Sequence, residues 1–229
     1  MLIIAHRGAH RPETGGVEEN TVAAFCRAVE QGVDGVEFDV RATRDGQLVV
    51  HHDARLIDGR PVAATDAVDL PAHVPSFAAV LDACQPLRVV NVELKNHPFE
   101  PGFDPTGELP GRVGALLAGR PAGAFLLSSF HLPSLEAARA AAPGLATGWL
   151  TAAGYDQLAA VEAIAAAGHR AVCPAEEVVT GDLVMRAHRA GLEIWAWTVN
   201  DTARMAELAA AGVDALITDR PWAALAERG

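Results

Sequence analysis

Cysteine is scarce in this 229-residue chain. Cys26, Cys84 and Cys173 are odd in number, widely spaced and without a CxxC pair, so neither a disulfide framework nor a thiolate zinc centre is predicted. Free buried thiols in a reducing compartment are the expectation. Aromatic residues make up only 5%, with a single tyrosine, Tyr155. Basic residues are the minority among the charges: 18 Lys and Arg stand against 29 Asp and Glu, for a formal net charge of −11. That balance offers no basic footprint and excludes a nucleic-acid-binding module, while leaving room for a phosphorylated ligand held by a metal or a local cation. No apolar run approaches the about 18 residues of a membrane span, so no stable membrane anchor is expected. No leader-like segment precedes the first apolar run, and a cytoplasmic location is expected. A GxGxxG turn is missing after that run, which argues against a dinucleotide-binding doubly wound sheet.

What the chain does have is short apolar runs alternating with Ala-rich helical stretches. Half of its residues are hydrophobic, enough for a sizeable core. Strands are predicted at Leu2–Ala5, Gly35–Val40, Leu48–His51, Val89–Leu94, Phe125–Ser128, Ala146–Leu150, Ala171–Cys173, Ile194–Val199 and Ala215–Ile217. Helices are predicted over Glu19–Gln31, Leu132–Ala142, Tyr155–Ala167, Thr180–Ala190 and Ala203–Ala211. Gly32, Gly168, Gly191 and Gly212 follow helical stretches, which suits the left-handed position after a helix end. Apolar strands separated by helices predict a parallel sheet covered on both faces. The number of such units in this length predicts a single (β/α)8 TIM barrel over residues 1–229. The stretch "HPFEPGFDPTGELPG", His97–Gly111, interrupts the alternation and is predicted to be a long loop, a candidate lid.

In such a barrel the C-terminal strand ends surround the active site. The awkward polar residues gather at those ends. His6 and Arg7 close the first strand, and Glu37 and Asp39 sit in "GVEFDV". His52 and Asp53 close "LVVHHD", and Glu93 and Lys95 close "VVNVELK". Ser128 and Ser129, Trp197 and Asn200, and Asp219 follow later. Strand parity puts Glu37 and Asp39 on one face, and Glu93 with Lys95 on one face. Two buried carboxylates on one face need a cation nearby. Arg or Lys partners would serve, and so would a hard divalent ion, Mg2+ or Ca2+, for which oxygen donors are suited. Histidines at strand ends are candidates for acid–base work. His51 and His52 alternate faces, so only one enters the mouth, and parity does not say which. His10 and His131 are weaker candidates, while His73, His97, His169 and His188 read as loop or helix-surface residues.

The stretches "AHRG", "EENTVAAFCRAVEQGVDGVEFDVRATRDGQLVVHHD", "VELK", "WTVN" and "GVDALITDRP" together resemble the glycerophosphodiester phosphodiesterase family, in order from the first strand to the last. The resemblance implies a (β/α)8 barrel that hydrolyses a phosphodiester with help from one divalent metal ion, Mg2+ or Ca2+. It implies Glu37, Asp39 and Glu93 as metal ligands and His6 with His52 as the catalytic pair. Arg7 would contact the phosphate, and Asn20, Lys95 and Trp197 would complete the substrate-binding set. A glycerol hydroxyl would attack first to give a cyclic phosphate, which water then opens. The implied substrate is a small glycerophosphodiester releasing glycerol 3-phosphate and an alcohol. Many relatives carry a sizeable insertion after the HD motif. Here "ARLIDGRPVAATDAVDLPAHVPSF" is short, so little or no insertion domain is expected and the leaving alcohol stays open. Two alternatives are a lysophospholipase-D-like activity, which needs an apolar mouth, and an inactive barrel that only binds phosphorylated ligands.

Overall fold

The computed structural model describes residues 1–11, 16–121 and 123–228. The strands are β1 (Leu2–His6), β2 (Gly35–Ala42), β3 (Leu48–Val50), β4 (Val89–Leu94), β5 (Phe125–Ser129), β6 (Ala146–Thr151), β7 (Ala171–Pro174), β8 (Glu193–Ala196) and β9 (Ala215–Thr218). The helices are α1 (Val22–Glu30), α2 (Phe77–Ala83), α3 (Glu108–Leu117), α4 (Leu132–Ala141), α5 (Gln157–Ala167), α6 (Gly181–Arg189), α7 (Thr202–Ala211) and α8 (Pro221–Arg228). All strands but β3 run parallel in the order β1-β9-β8-β7-β6-β5-β4-β2, and β1 pairs with β2 to close the circle. This is the (β/α)8 barrel that the alternation predicts.

Strand parity divides the core. Inward-facing Ile4, Leu126, Leu150, Cys173, Trp195 and Ile217 fill the barrel. Outward-facing residues such as Val36, Phe38, Val90 and Val92 pack under the helices. Phe38 is flanked edge-on by Phe25 of α1 and Phe77 of α2, with ring centroids 5.5 and 6.0 Å away, an arrangement worth about 0.5–1.5 kcal/mol per pair beyond area burial. Gly35 allows β4 to approach β2, because a Cβ there would lie 2.2 Å from the Val89 carbonyl oxygen.

Several elements differ from the expectation, each for a local reason. Leu48–His51 is not a barrel strand: β3 pairs antiparallel to β2, with Val40 opposite Val50 and Ala42 opposite Leu48. The connection 43–47 is far too short for a parallel crossover, and the Thr43 amide donates to the Gln47 carbonyl at 2.9 Å. Helix α1 begins later than Glu19 because Thr21 caps it, its hydroxyl accepting from the Ala24 amide. Helix α5 likewise starts after Asp156, whose carboxylate accepts from the Leu158 and Ala159 amides. The loop predicted at His97–Gly111 ends early, since α3 starts at Glu108 after Gly107 with φ 77°. Pro110 sits in the first turn, where its missing N–H is not needed. The base of this loop is tied down: buried Asn96 accepts from the Asp104 amide at 2.7 Å and donates to its carbonyl at 2.9 Å. After β3 the chain carries only two short 3-10 turns, Val62–Ala64 and Ala67–Asp69, and no insertion domain before α2.

Two side-chain expectations are corrected. His169 is buried, not on the surface; its Nδ1 lies 2.7 Å from the Thr147 hydroxyl and its Nε2 2.9 Å from Glu136. Cys84 and Cys173 are buried free thiols, but Cys26 is exposed on α1. No described helix is long and apolar enough to cross a membrane.

Candidate active site

At the end of β1 the backbone turns sharply through Arg7 (φ 54°) and Gly8 (φ 83°). A Cβ on Gly8 would meet the Ala24 backbone at 2.8 Å, so α1 packs directly on this turn. The left-handed conformation at Arg7 costs roughly 1–2 kcal/mol. Its amide donates to the Glu37 backbone carbonyl at 2.9 Å and approaches Glu37 Oε2 at 3.2 Å, and its carbonyl accepts from the Asn20 amide at 3.0 Å. Asn20 is itself left-handed (φ 56°), a conformation asparagine tolerates. The two left-handed residues thus brace each other beside the cavity.

Strand register assembles the carboxylates. His6 lies opposite Glu37 on β2, Glu37 opposite Asn91 on β4, and Asp39 opposite Glu93. One oxygen each from Glu37, Asp39 and Glu93 falls within 4.8 Å of the others. Cations address only part of this cluster. Lys95 Nζ lies 2.9 Å from Glu93 and 3.5 Å from Asp39, and Arg7 Nε lies 3.5 Å from Asp39. Burial would push the Asp39 carboxyl up, but Lys95, His52 and Arg7 hold it well below the usual carboxylate range. Asn20 Nδ2 donates to it at 2.8 Å. Burial pushes Glu37 the other way, well above its ordinary value, and the neighbouring Asp39 and Glu93 add to the rise. Glu37 Oε1 is buried without a hydrogen-bond partner. An unpartnered oxygen in a cluster of three carboxylates fits a hard divalent cation, which would relieve the repulsion that raises Glu37. Side-chain cations therefore reach Asp39 and Glu93 directly, while Glu37 Oε1 has no partner, and the three carboxylates together could hold a metal ion.

The two histidines flank this cluster. His6 Nδ1 lies 2.6 Å from Asp219 Oδ1 and its Nε2 3.8 Å from Glu37. His52 Nδ1 lies 2.7 Å from Asp53, and Arg41 donates to the His52 carbonyl from Nε and Nη2 at 2.9 and 2.6 Å. A cavity of about 180 Å³ is lined by His6, Arg7, Glu37, His52, Glu93, Lys95 and Trp197, with Asn91 among its lining residues and Phe130, Leu150 and Ile217 supplying an apolar wall. Trp197 is anchored by its indole N–H on the Cys173 carbonyl at 2.7 Å and by the edge-on Phe130 ring at 5.5 Å.

The structure thus gathers most of the expected residues into one cavity. Asp39 is 1% exposed and is not among the cavity-lining residues. Asn20 is outside the cavity lining, holding Asp39 and bordering a neighbouring groove. His52 lines both the cavity and that groove, whereas His51 lines the groove and not the cavity. His10 approaches Asp219 at 3.4 Å, and His131 instead partners Ser134 at the start of α4. Sequence reasoning missed Asn91, Arg41, Phe130 and Leu150. For Asn91 and Arg41 the signal was present, since they share strand parity with Glu93 and Asp39 respectively. Phe130 lies just past β5, where no periodicity points to it.

The sequence model of the Glycerophosphoryl diester phosphodiesterase family matches residues 6–223. Among curated proteins, the glycerophosphodiester phosphodiesterase of Caldanaerobacter subterraneus subsp. tengcongensis is 30% identical over 244 residues, covering 96% of this chain and 94% of the relative. Among solved structures, a glycerophosphodiester phosphodiesterase from Agrobacterium tumefaciens superposes with a TM-score of 0.79 at 25% identity, covering 100% of this chain and 99% of the other. An Oleispira antarctica phosphodiesterase, solved in complex with the product sn-glycerol-3-phosphate, has a TM-score of 0.80 at 24% identity and covers 99% of this chain and 96% of its own.

Proposed function

The chain belongs to the glycerophosphoryl diester phosphodiesterase family, and from that premise we propose that it cleaves glycerophosphodiesters to glycerol 3-phosphate and an alcohol, with His6 and His52 exchanging the protons. The observation that carries this reading is the juxtaposition, in one small cavity, of two carboxylate-partnered histidines, two cations and a carboxylate cluster. The product named for the Oleispira structure supports the same substrate class.

Glu37, Asp39 and Glu93 would hold one divalent ion, Mg2+ or Ca2+. When bound, the ion supplies electrostatic neutralisation of the phosphoryl oxygens. Arg7 and Lys95 bring further positive charge to the same cavity and offset the anionic repulsion between phosphodiester and nucleophile. The hydroxyl next to the phosphate attacks phosphorus and passes its proton to one histidine. The phosphorus–oxygen bond to the alcohol breaks, and that oxygen takes a proton from the other histidine. Water then opens the cyclic phosphate with the two roles exchanged, so both rings return to their starting state. Trp197, Phe130 and Leu150 shape the apolar wall and limit water around the reacting atoms.

A steady-state assay with glycerophosphocholine and with a lysophospholipid, each with Mg2+, Ca2+ or chelator, tests the reading. Turnover of glycerophosphocholine that a chelator removes is expected. Absence of turnover with either substrate and any metal would overturn the reading and favour a barrel that only binds phosphorylated ligands.

A further inference from the structure

We propose that Asp219 is a positioning residue that holds His6 as its Nδ1-protonated tautomer, leaving Nε2 bare toward the cavity as the base for the attacking hydroxyl. This assignment rests on the two-histidine reading above and goes beyond it by giving the two rings different roles.

The argument is one of donor and acceptor accounting. Asp219 follows β9, whose neighbour β1 ends in His6. Its side chain is only 9% exposed, and Oδ1 lies 2.6 Å from His6 Nδ1. Oδ1 also lies 3.4 Å from His10 Nε2, and the other oxygen, Oδ2, accepts from Asn200 Nδ2 at 2.8 Å and from Arg11. The Asn200 amide cannot be turned round, because its Oδ1 accepts from the Asp219 backbone N–H at 2.9 Å and from the Thr218 hydroxyl at 3.2 Å. Asp219 therefore meets His6 as an ionised carboxylate, which has acceptors and no proton to give, so the proton must sit on Nδ1. At Nε2 the nearest carboxylate is Glu37 at 3.8 Å, beyond hydrogen-bond reach, so nothing demands a proton there.

His52 is held quite differently. Its Nδ1 partner, Asp53, is 75% exposed, and such a solvated contact constrains a ring weakly. His6 is thus the ring of fixed tautomer. In the first step the proton leaves the attacking hydroxyl for His6 Nε2 as the new oxygen–phosphorus bond forms. The bond from phosphorus to the alcohol oxygen breaks, and that oxygen is protonated by His52. The His6 imidazolium that results lies against the Asp219 carboxylate.

The same accounting says what Asp219→Asn would do. Asn200 and Arg11 both donate to the Oδ2 position, against the one longer 3.4 Å contact of His10 at Oδ1, so the new amide places its oxygen at Oδ2 and its NH2 toward His6. Nδ1 then becomes an acceptor and the proton moves to Nε2. Adding Asn200→Asp removes one donor at Oδ2 and supplies a carboxylate that accepts from both Arg11 and the turned amide, so the amide oxygen faces His6 again.

Long-range 1H–15N correlation of the purified, 15N-labelled chain reads the His6 tautomer directly. The expected result is Nδ1–H in the unaltered protein, Nε2–H in Asp219→Asn, and Nδ1–H again in Asp219→Asn/Asn200→Asp. Kinetically, Asp219→Asn should lower kcat by about 10²-fold or more. KM should change by less than about threefold, and the double variant should recover at least about tenfold in kcat. Calorimetric binding of Mg2+ or Ca2+ alone should be unchanged in Asp219→Asn. An Nε2–H tautomer in the unaltered protein overturns the proposal whatever the variants do. So does a loss confined to KM, a kcat within threefold of the parent, or a restored tautomer without recovered turnover. If the unaltered chain turns over no phosphodiester, the functional reading fails, while the tautomer measurement still decides the role of Asp219.

Discussion

At the scale of single residues, charge and hydrogen-bond capacity decide what each polar side chain does. Asp39 and Glu37 are two positions apart on one buried strand, yet their environments push them in opposite directions. Asp39 collects Lys95, His52, Arg7 and Asn20, whereas Glu37 gains mainly burial and carboxylate neighbours. In the proposed mechanism the histidines carry the proton transfers. His52→Ala is expected to lower kcat by about 10²–10⁴-fold, the usual contribution of a positioned acid–base group. Circular dichroism should show the fold retained, because His52 follows a short hairpin strand and is not part of the core. A kcat near that of the unaltered protein would remove His52 from the mechanism.

At the scale of elements, the site depends on how closely strands pair and how helices pack behind them. Gly35→Ala should be costly, because the added Cβ meets the Val89 carbonyl oxygen between β2 and β4. Overpacking of this kind costs roughly 1–3 kcal/mol. Since these strands carry Glu37, Asp39 and Glu93, calorimetry should show weakened Mg2+ or Ca2+ binding alongside the lower denaturation midpoint. Behind β6, His169 gives an element-level pH dependence. Burial, reinforced by Arg139, lowers its pKa, with Glu136 opposing. Its neutral form is favoured in the fold, so its contribution to stability is complete above the unfolded value of about 6.5 and is lost as the pH falls below it. Urea midpoints measured from pH 7 down to pH 5 should therefore fall more steeply for the unaltered chain than for His169→Gln. Parallel curves would show that His169 does not titrate in that window.

For the whole molecule, closing the barrel brings strands distant in the chain to one mouth, where their clustered carboxylates would be eased by the proposed metal ion. Mg2+ or Ca2+ should stabilise the fold by binding it and not the unfolded chain, by about 2.7 kcal/mol at a hundredfold excess over Kd. Thermal unfolding with and without metal should show this rise. Glu37→Gln should abolish most of it, since that variant loses the ligand whose oxygen has no other partner. A metal-independent Tm in the unaltered chain would sink the assignment of the cluster.

The alternation of apolar runs with helical stretches determined a covered parallel sheet by itself, because strands buried on both faces must be apolar, and the number of units with no GxGxxG turn pointed to the barrel. Parity alone also determined that Glu37 shares a face with Asp39, and Glu93 with Lys95. It held the clue to Asn91 and Arg41 as well, at two-residue spacing from named carboxylates. The naming of roles for His6, His52 and the metal ligands came from the resemblance, not from periodicity. Other features were decided only by tertiary structure. Leu48–Val50 turned antiparallel because its short connection allows nothing else. His169, read as a loop or helix-surface residue, lies in a loop but became buried once α4 and β6 closed around it. Asp219 meets His6 across 213 positions of sequence, a contact that exists because the last barrel strand pairs with the first. Local pattern specifies which face a side chain takes, but only barrel closure specifies which distant side chain it will find there.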